Sequence, residues 1–274
     1  MPGMRVPLGH IELPGGDAVA VSGEGFGPLS GRPAIVLAGL HGDAAEGVAA
    51  ALALSALWRR SPPARPVLLF GCLNPLAVLH GSHRWPGLDV DFASRLPGDA
   101  EGHPPDRIAA ALFEHIRGAE RVIELGAPDP GLWECVHAEA WDDTPMPDLP
   151  IPCVRYAERA EPGSPGAWGA LRLRGGRTGR VHPDGVNTLT GAVLSWLDGS
   201  GSVQPTAAVH VARAETAGIF TPRNRPGGRV EPGDLLGELG GEPVLSTVAG
   251  ILLALRDKPT AHVGSALARI LGST

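Results

Sequence analysis

A run of apolar and small residues, Ala34 to Leu40 (AIVLAGL), passes directly into His41-Gly42-Asp43-Ala44-Ala45-Glu46-Gly47. A short, partly β-branched apolar run of this kind predicts a buried strand. The stretch behind it, Ala44 to Arg60, is rich in Ala and Leu and contains no Pro. It ends in Trp58-Arg59-Arg60, which puts positive charge where a helix C-terminus favours it. His41 therefore falls where a strand gives way to a helix. In open α/β sheets ligands gather outside the carboxyl ends of strands, so the polar side chains of this turn are functional candidates by position.

The rest of the chain extends this unit. An alternating segment (Val6, Leu8, Ile11, Leu13) with a Gly-rich turn predicts an N-terminal hairpin, and Val67 to Gly71 predicts a second buried strand that completes a right-handed βαβ unit. Leu76 to Gly98 shows no clean period and reads as a long loop carrying His80, His83, Arg84, Asp89, Asp91 and Arg95. Pro105 to Gly118 has helical spacing, Arg121 to Leu125 reads as a third strand, and a Pro-rich connection leads to a strand at Ile151 to Tyr156. Ala170 to Arg174 alternates as an edge or half-buried strand does, and Pro183 to Leu197 reads as a helix. After a Gly-Ser linker at 199–202, short Gly- and Pro-punctuated segments at 207–214, 218–221, 235–239 and 250–255 predict a small all-β module. The expected organisation is an α/β domain over residues 1–200, a mixed sheet flanked by helices, followed by a small β-barrel-like domain over 203–274.

A chain of 274 residues with 43% hydrophobic residues can bury a full core. A net charge of −6 without a dense basic block argues against nucleic acid or an anionic membrane as the main partner. No apolar run reaches membrane-spanning length and residues 1–10 lack a signal-peptide pattern, so a cytoplasmic protein is expected. The three cysteines lack metal-finger spacing and are too few and odd for a disulfide framework. There is no Gly-x-Ser-x-Gly elbow of a serine hydrolase. Arg172, Arg174, Arg177 and Arg180 cluster beside Gly175-Gly176 as a weak anion-site signal, without the ending of a P-loop.

Taken together, the turn Gly39-x-His41-Gly42-Asp43, the later Asn74-Pro75, Arg84, and the segment from Asp89-Val90-Asp91 to Leu96-Pro97-Gly98 resemble the succinylglutamate desuccinylase and aspartoacylase family, a branch of the zinc carboxypeptidase superfamily. The C-terminal pieces Gly218 to Pro222, Val230 to Asp234 and Ala249 to Ile251 are similar to the small β domain that ends family members, so the resemblance spans nearly the whole chain. It implies a zinc-dependent amide hydrolase acting on an N-acyl amino acid or small peptide. It also implies a small carboxylate-bearing substrate held by Arg84, Arg95 and Asn74, since a guanidinium pairs with a carboxylate in bidentate fashion.

The family's zinc needs two His and one Glu, with a further Glu as general base. Only His41 matches. The second ligand falls on Ala44, the third on Gly126 of Glu124-Leu125-Gly126, and the general base in Leu173-Arg174-Gly175-Gly176, which lacks that acid. The family's Asn-Arg pair is blurred in Asp91-Phe92-Ala93-Ser94-Arg95, read with two extra residues. Zinc is therefore expected only with an altered ligand set, built on His41 with Asp43 and Glu46 and completed from His80, His83, Glu134 or His137. The alternative is a metal-free relative that binds a carboxylate ligand or a partner protein in the same pocket, or does different chemistry there.

Overall fold

The computed structural model describes residues 3–28, 30–141, 144, 146–156, 165–199 and 207–272. In chain order the α/β part comprises β1 (Met4–Glu12), β2 (Ala18–Phe26), β3 (Ala34–Ala38), α1 (Ala45–Arg60), β4 (Val67–Phe70), α2 (Pro75–His80), α3 (Pro104–Gly118), β5 (Arg121–Leu125), β6 (Leu132–Trp141), β7 (Cys153–Tyr156), β8 (Leu171–Arg177) and α4 (Pro183–Asp198). The C-terminal part adds β9 (Val209–Arg213), β10 (Gly218–Pro222), β11 (Arg229–Val230), β12 (Leu235–Leu239), β13 (Glu242–Leu245), β14 (Gly250–Arg256), β15 (Thr260–Ala261) and β16 (Ala266–Gly272).

Twelve of these strands form one mixed sheet in the order β1-β2-β4-β3-β5-β8-β6-β14-β16-β9, with β7 beside β6 and β11 beside β14. Its centre, β4, β3, β5 and β8, is parallel. The all-apolar β3 is buried at every position, as a central parallel strand covered on both faces must be. On one face Val36, Ile123 and Leu171 pack with Leu54 and Trp58 of α1 and Val193 and Trp196 of α4; on the other, Ile35, Leu37 and Phe70 pack with Ile108 and Leu112 of α3. Each fully buried Leu or Ile there contributes about 1.5–3 kcal/mol. Antiparallel pairing of β14 with β6 carries the large sheet into the C-terminal segment, whose β10, β12, β13 and β15 form a second, four-stranded sheet.

The strand at 34–38, the helices at 45–60, 104–118 and 183–198, and the N-terminal hairpin follow the sequence expectation. Three regions differ. Residues 132–141, expected as connection, are the ten-residue strand β6, and the segment ending at Arg174 lies between β5 and β6 rather than at an edge. Arg172 and Arg174 alternate along β8 because they pair with buried acids, not because they face water. Within the expected loop 76–98 a short helix, α2, is fixed by Asn74, whose side chain accepts from the Ala77 N–H at 3.1 Å, by Pro75 in the first turn, and by left-handed Gly81 at its end. Of the expected linker at 199–202, residues 200–202 lie outside the described residues.

Candidate metal centre

The turn after β3 owes its shape to Gly42. A Cβ there would collide with the backbone of Ala77, so only glycine lets the turn lie against α2. The Gly42 N–H donates to the Ser82 carbonyl at 2.9 Å, which sets the residue after Ser82 over the end of β3. The imidazoles of His41 and His83 then stack, with centroids 4.1 Å apart and planes 8° from parallel. Downstream, Trp85 and Val90 close a small antiparallel bridge and Trp85 stacks on Phe92, both buried, which brings Asp91 beside His41.

Each histidine has its own carboxylate. His41 Nε2 lies 3.0 Å from Asp91 Oδ1, and His83 Nδ1 lies 3.1 Å from both oxygens of Asp43. His41 and Asp43 are buried. Asp91 also accepts from the Ala93 N–H at 2.9 Å. Burial alone would raise its pKa, but the His41 bond and charge and the Ala93 N–H bring it down to about 2. The hydrogen bond that His83 Nδ1–H donates to Asp43 pushes the His83 pKa up against the opposing effect of burial. Because Nδ1 of His83 is engaged by Asp43, its Nε2 is left to bind elsewhere. One donor atom each from His41, His83 and Asp91 lie within 4.8 Å of one another.

The other expected donors are placed elsewhere. Glu46 is buried, and its Oε1 accepts from the His182 N–H at 3.0 Å, so this carboxylate caps the N-terminus of α4. Gly176 and Gly185 enclose it, and a Cβ on either would collide with it. Burial raises the Glu46 pKa, opposed by the His182 N–H and charge. Glu134 grips Arg174 through two contacts of 2.9 Å, and His137 pairs with Glu139; all four side chains belong to a buried ionic network of β5, β6 and β8. His80 is exposed at the end of α2. Asn74 is occupied as the cap of α2, Arg84 holds the Asp89 carbonyl at 2.8 Å, and Arg95 turns to Asp106 at 3.6 Å.

The two-His, one-Glu zinc set of the family pattern does not fit this chain. Ala44 has no donor, and at Gly126 a Cβ would already meet Cγ, Cδ and Nε of Arg172 at 3.2 Å. Arg172 is held there by Glu124 Oε2 at 3.2 Å. Leu173, in the segment matching the family's general base, is buried in the apolar core. His83 stood among the expected donors; Asp91 did not. The signal for it was present, since Asp91 to Gly98 has the same eight-residue length as the family's Asp-Leu-Asn-Arg-x-Phe-Pro-Gly. Read without a gap, Asp91 takes the place of the motif's Asp, and Ala93 and Ser94 take those of its Asn and Arg.

No family model matches the sequence, and no curated protein does. Solved structures do match over the whole chain. The succinylglutamate desuccinylase/aspartoacylase from Rhodobacter sphaeroides superposes with a TM-score of 0.74 at 18% identity, covering 100% of this chain and 97% of that one. An aspartoacylase family protein from Mesorhizobium loti gives 0.73 at 16% identity, covering 100% and 96%. The product-bound ectoine utilization protein EutE (DoeB) from Ruegeria pomeroyi gives 0.72 at 18% identity, covering 99% and 94%.

Proposed function

We propose that this chain, which has the fold of the succinylglutamate desuccinylase/aspartoacylase proteins, is an amide hydrolase of small carboxylate-bearing N-acyl amino acids whose metal centre has been rebuilt on His41, His83 and Asp91. The observation that carries the reading is the convergence of those three donors at the end of β3, where the strands' carboxyl ends form the ligand edge of the sheet. Two imidazoles and a carboxylate are a donor set used for catalytic zinc, and ligands around a tetrahedral ion of that size lie about 3.4 Å apart. The 3.0 Å between His41 Nε2 and Asp91 Oδ1 is close to that spacing.

A divalent ion bound there supplies Lewis acidity toward an acyl carbonyl and lowers the pKa of a water. The chain's own groups do the rest. Asp43 fixes the ring and tautomer of His83, Ala93 N–H orients Asp91, and Gly42 sets the distance between the turn and α2. Arg84, exposed at the rim one residue after His83, is the cation nearest in sequence to this group for a substrate carboxylate.

A second reading is supported by the same two pairs. His41–Asp91 and His83–Asp43 each set an imidazole nitrogen against a carboxylate, an arrangement that also suits a protein binding a carboxylate ligand here through its histidines. Metal analysis of protein purified without chelators decides between them. The hydrolase reading expects close to one divalent ion per chain, lost in His83→Ala and Asp91→Ala, with turnover of N-acetylaspartate or N-succinylglutamate. Metal-free protein whose zinc affinity equals that of His41→Ala would overturn it.

A further inference from the structure

Arg5 of β1, Glu24 of β2 and Leu69 of β4 are direct neighbours across three strands, so their side chains stand in one row on one face of the large sheet. Ser22, two residues from Glu24, stands on the same face. Leu69 packs in the core with Ala51, Leu54 and Trp58, so this is the face that α1 covers. A cavity of about 390 Å³ opens between the row and α1. Val48 and Leu52 of α1 give it an apolar wall, and Leu52 is 67% exposed. Small residues keep the gap open, with Ala51 facing Gly71. None of His41, His83 and Asp91 lines it.

The polar part of the lining carries more positive charge than it neutralises. Glu24 turns to the helix: its Oε2 accepts from Ser55 Oγ at 2.8 Å and from Arg59 Nε at 3.4 Å, and Arg59 Nη2 meets its Oε1. Arg5 lies directly opposite Glu24 in register, yet it has no ion pair among the described residues. Its Nε donates to Ser22 Oγ at 3.2 Å. That bond uses Ser22 as an acceptor, so the Ser22 hydroxyl proton, the Nη groups of Arg5 and Nη1 of Arg59 are donors left without acceptors among the described residues. Cys72 completes the lining, and burial pushes its thiol pKa up, which keeps it uncharged.

The free donors come from three elements, β1, β2 and α1, around one cavity with an apolar side. Guanidinium groups pair strongly with phosphate oxygens. Donors arriving from three directions suit the three peripheral oxygens of a phosphoryl group better than the two coplanar oxygens of a carboxylate. We propose that this cavity binds a phosphate monoester carrying a short apolar group. Arg5, Arg59 and Ser22 hold the phosphoryl oxygens, and Val48 and Leu52 cover the apolar group. The site is independent of the His41 centre and of the hydrolase reading.

The test is calorimetric titration of the full chain with phenyl phosphate, with inorganic phosphate and benzoate as comparisons. Phenyl phosphate should bind, and Arg5→Gln should weaken it by about tenfold or more, the usual cost of a lost charge-assisted pair. Leu52→Ser should weaken phenyl phosphate and leave inorganic phosphate unchanged. Benzoate should bind more weakly than phenyl phosphate. His41→Ala should leave all of these affinities unchanged, which separates the cavity from phosphate held by an ion at His41. Arg5 and Leu52 are exposed, so both variants should keep the parent's melting curve. Four outcomes would overturn the site: no binding of phenyl phosphate at millimolar concentration, equal binding by parent and Arg5→Gln, benzoate binding as tightly as phenyl phosphate, or loss in His41→Ala with retention in Arg5→Gln.

Discussion

His41 and His83 stack face to face with ring centroids 4.1 Å apart, and each is tethered at one nitrogen by its own aspartate, Asp91 and Asp43. Two parallel imidazoles at this distance repel if both are charged, whereas a cation held by one nitrogen of each ring and by Asp91 removes the conflict. Asp43 contributes no ligand atom to the group; it aims His83. Asp43→Asn keeps the shape but removes the charge that orients the ring. Losing such an outer partner typically costs about 10- to 100-fold in metal affinity. Zinc titration of this variant against the parent should show that loss with an unchanged melting curve, and equal affinity would remove Asp43 from the centre.

Glu46, in the first turn of α1, is adjacent to the site in sequence, but its carboxyl serves the start of α4. Its carboxyl accepts from the N-cap N–H of α4, where no side chain of α4 itself provides a cap. Glu46→Ala should therefore lower stability by about 0.5–2 kcal/mol, the usual cost of a lost cap. Metal stoichiometry should not change. A variant with parental stability and no metal would instead return Glu46 to the ligand set.

The parts legible in the sequence are those whose chemistry agrees with their exposure. AIVLAGL reads as a buried strand because every residue of it is apolar or small, and α4 reads as a helix from its start at Pro183 to left-handed Gly199. β6 was not legible because Glu134, His137 and Glu139 are buried in ion pairs and a register shift between Glu134 and His137 breaks the alternation. The same inversion disguised β8, where Arg172 and Arg174 point inward. At the site, His41 was marked by its place after a strand, and His83 was one of two histidines in the expected loop 76–98. The partnership of His83 with His41 depends on Gly42 lying against Ala77, a tertiary contact that no local pattern reports.

The buried ionic network makes a prediction about pH. His137 donates from Nδ1 to the Cys135 carbonyl at 3.0 Å and faces Glu139 with Nε2 at 3.6 Å, so both nitrogens are satisfied only in the imidazolium. Burial alone would lower its pKa; those two bonds and the Glu139 charge raise it to about 10. Burial would raise the Glu139 pKa, but the Arg174 charge and then the His137 bond hold it well below the usual carboxylate range. The His137 contribution is fully present below its ordinary value of 6.5 and is lost as pH rises toward 10. The Glu139 contribution is present above 4.5 and fades on acidification. Urea unfolding of the parent should weaken from pH 6.5 to 10 more steeply than that of His137→Gln. Parallel slopes would show that His137 is neutral in the fold.

Restoring the family's ligands should fail unless Arg172 is moved. At Gly126 even a Cβ meets Arg172 at 3.2 Å, tighter than ordinary contact, and Arg172 is anchored by Glu124 and lies 5.8 Å over the Trp141 ring. Ala44→Glu with Gly126→His therefore supplies the missing donor types while crowding the arginine side chain. Overpacking of this kind costs about 1–3 kcal/mol. Trimming Arg172 to Ala opens the space but leaves Glu124, 0% exposed, without its cation, which has its own cost. The double variant should be less stable than the parent and gain no zinc affinity in a His83→Ala background. Adding Arg172→Ala together with Glu124→Gln, which removes the stranded charge, should allow zinc to bind there. Zinc binding by the double variant with Arg172 intact would show that the guanidinium does not block the old ligand position.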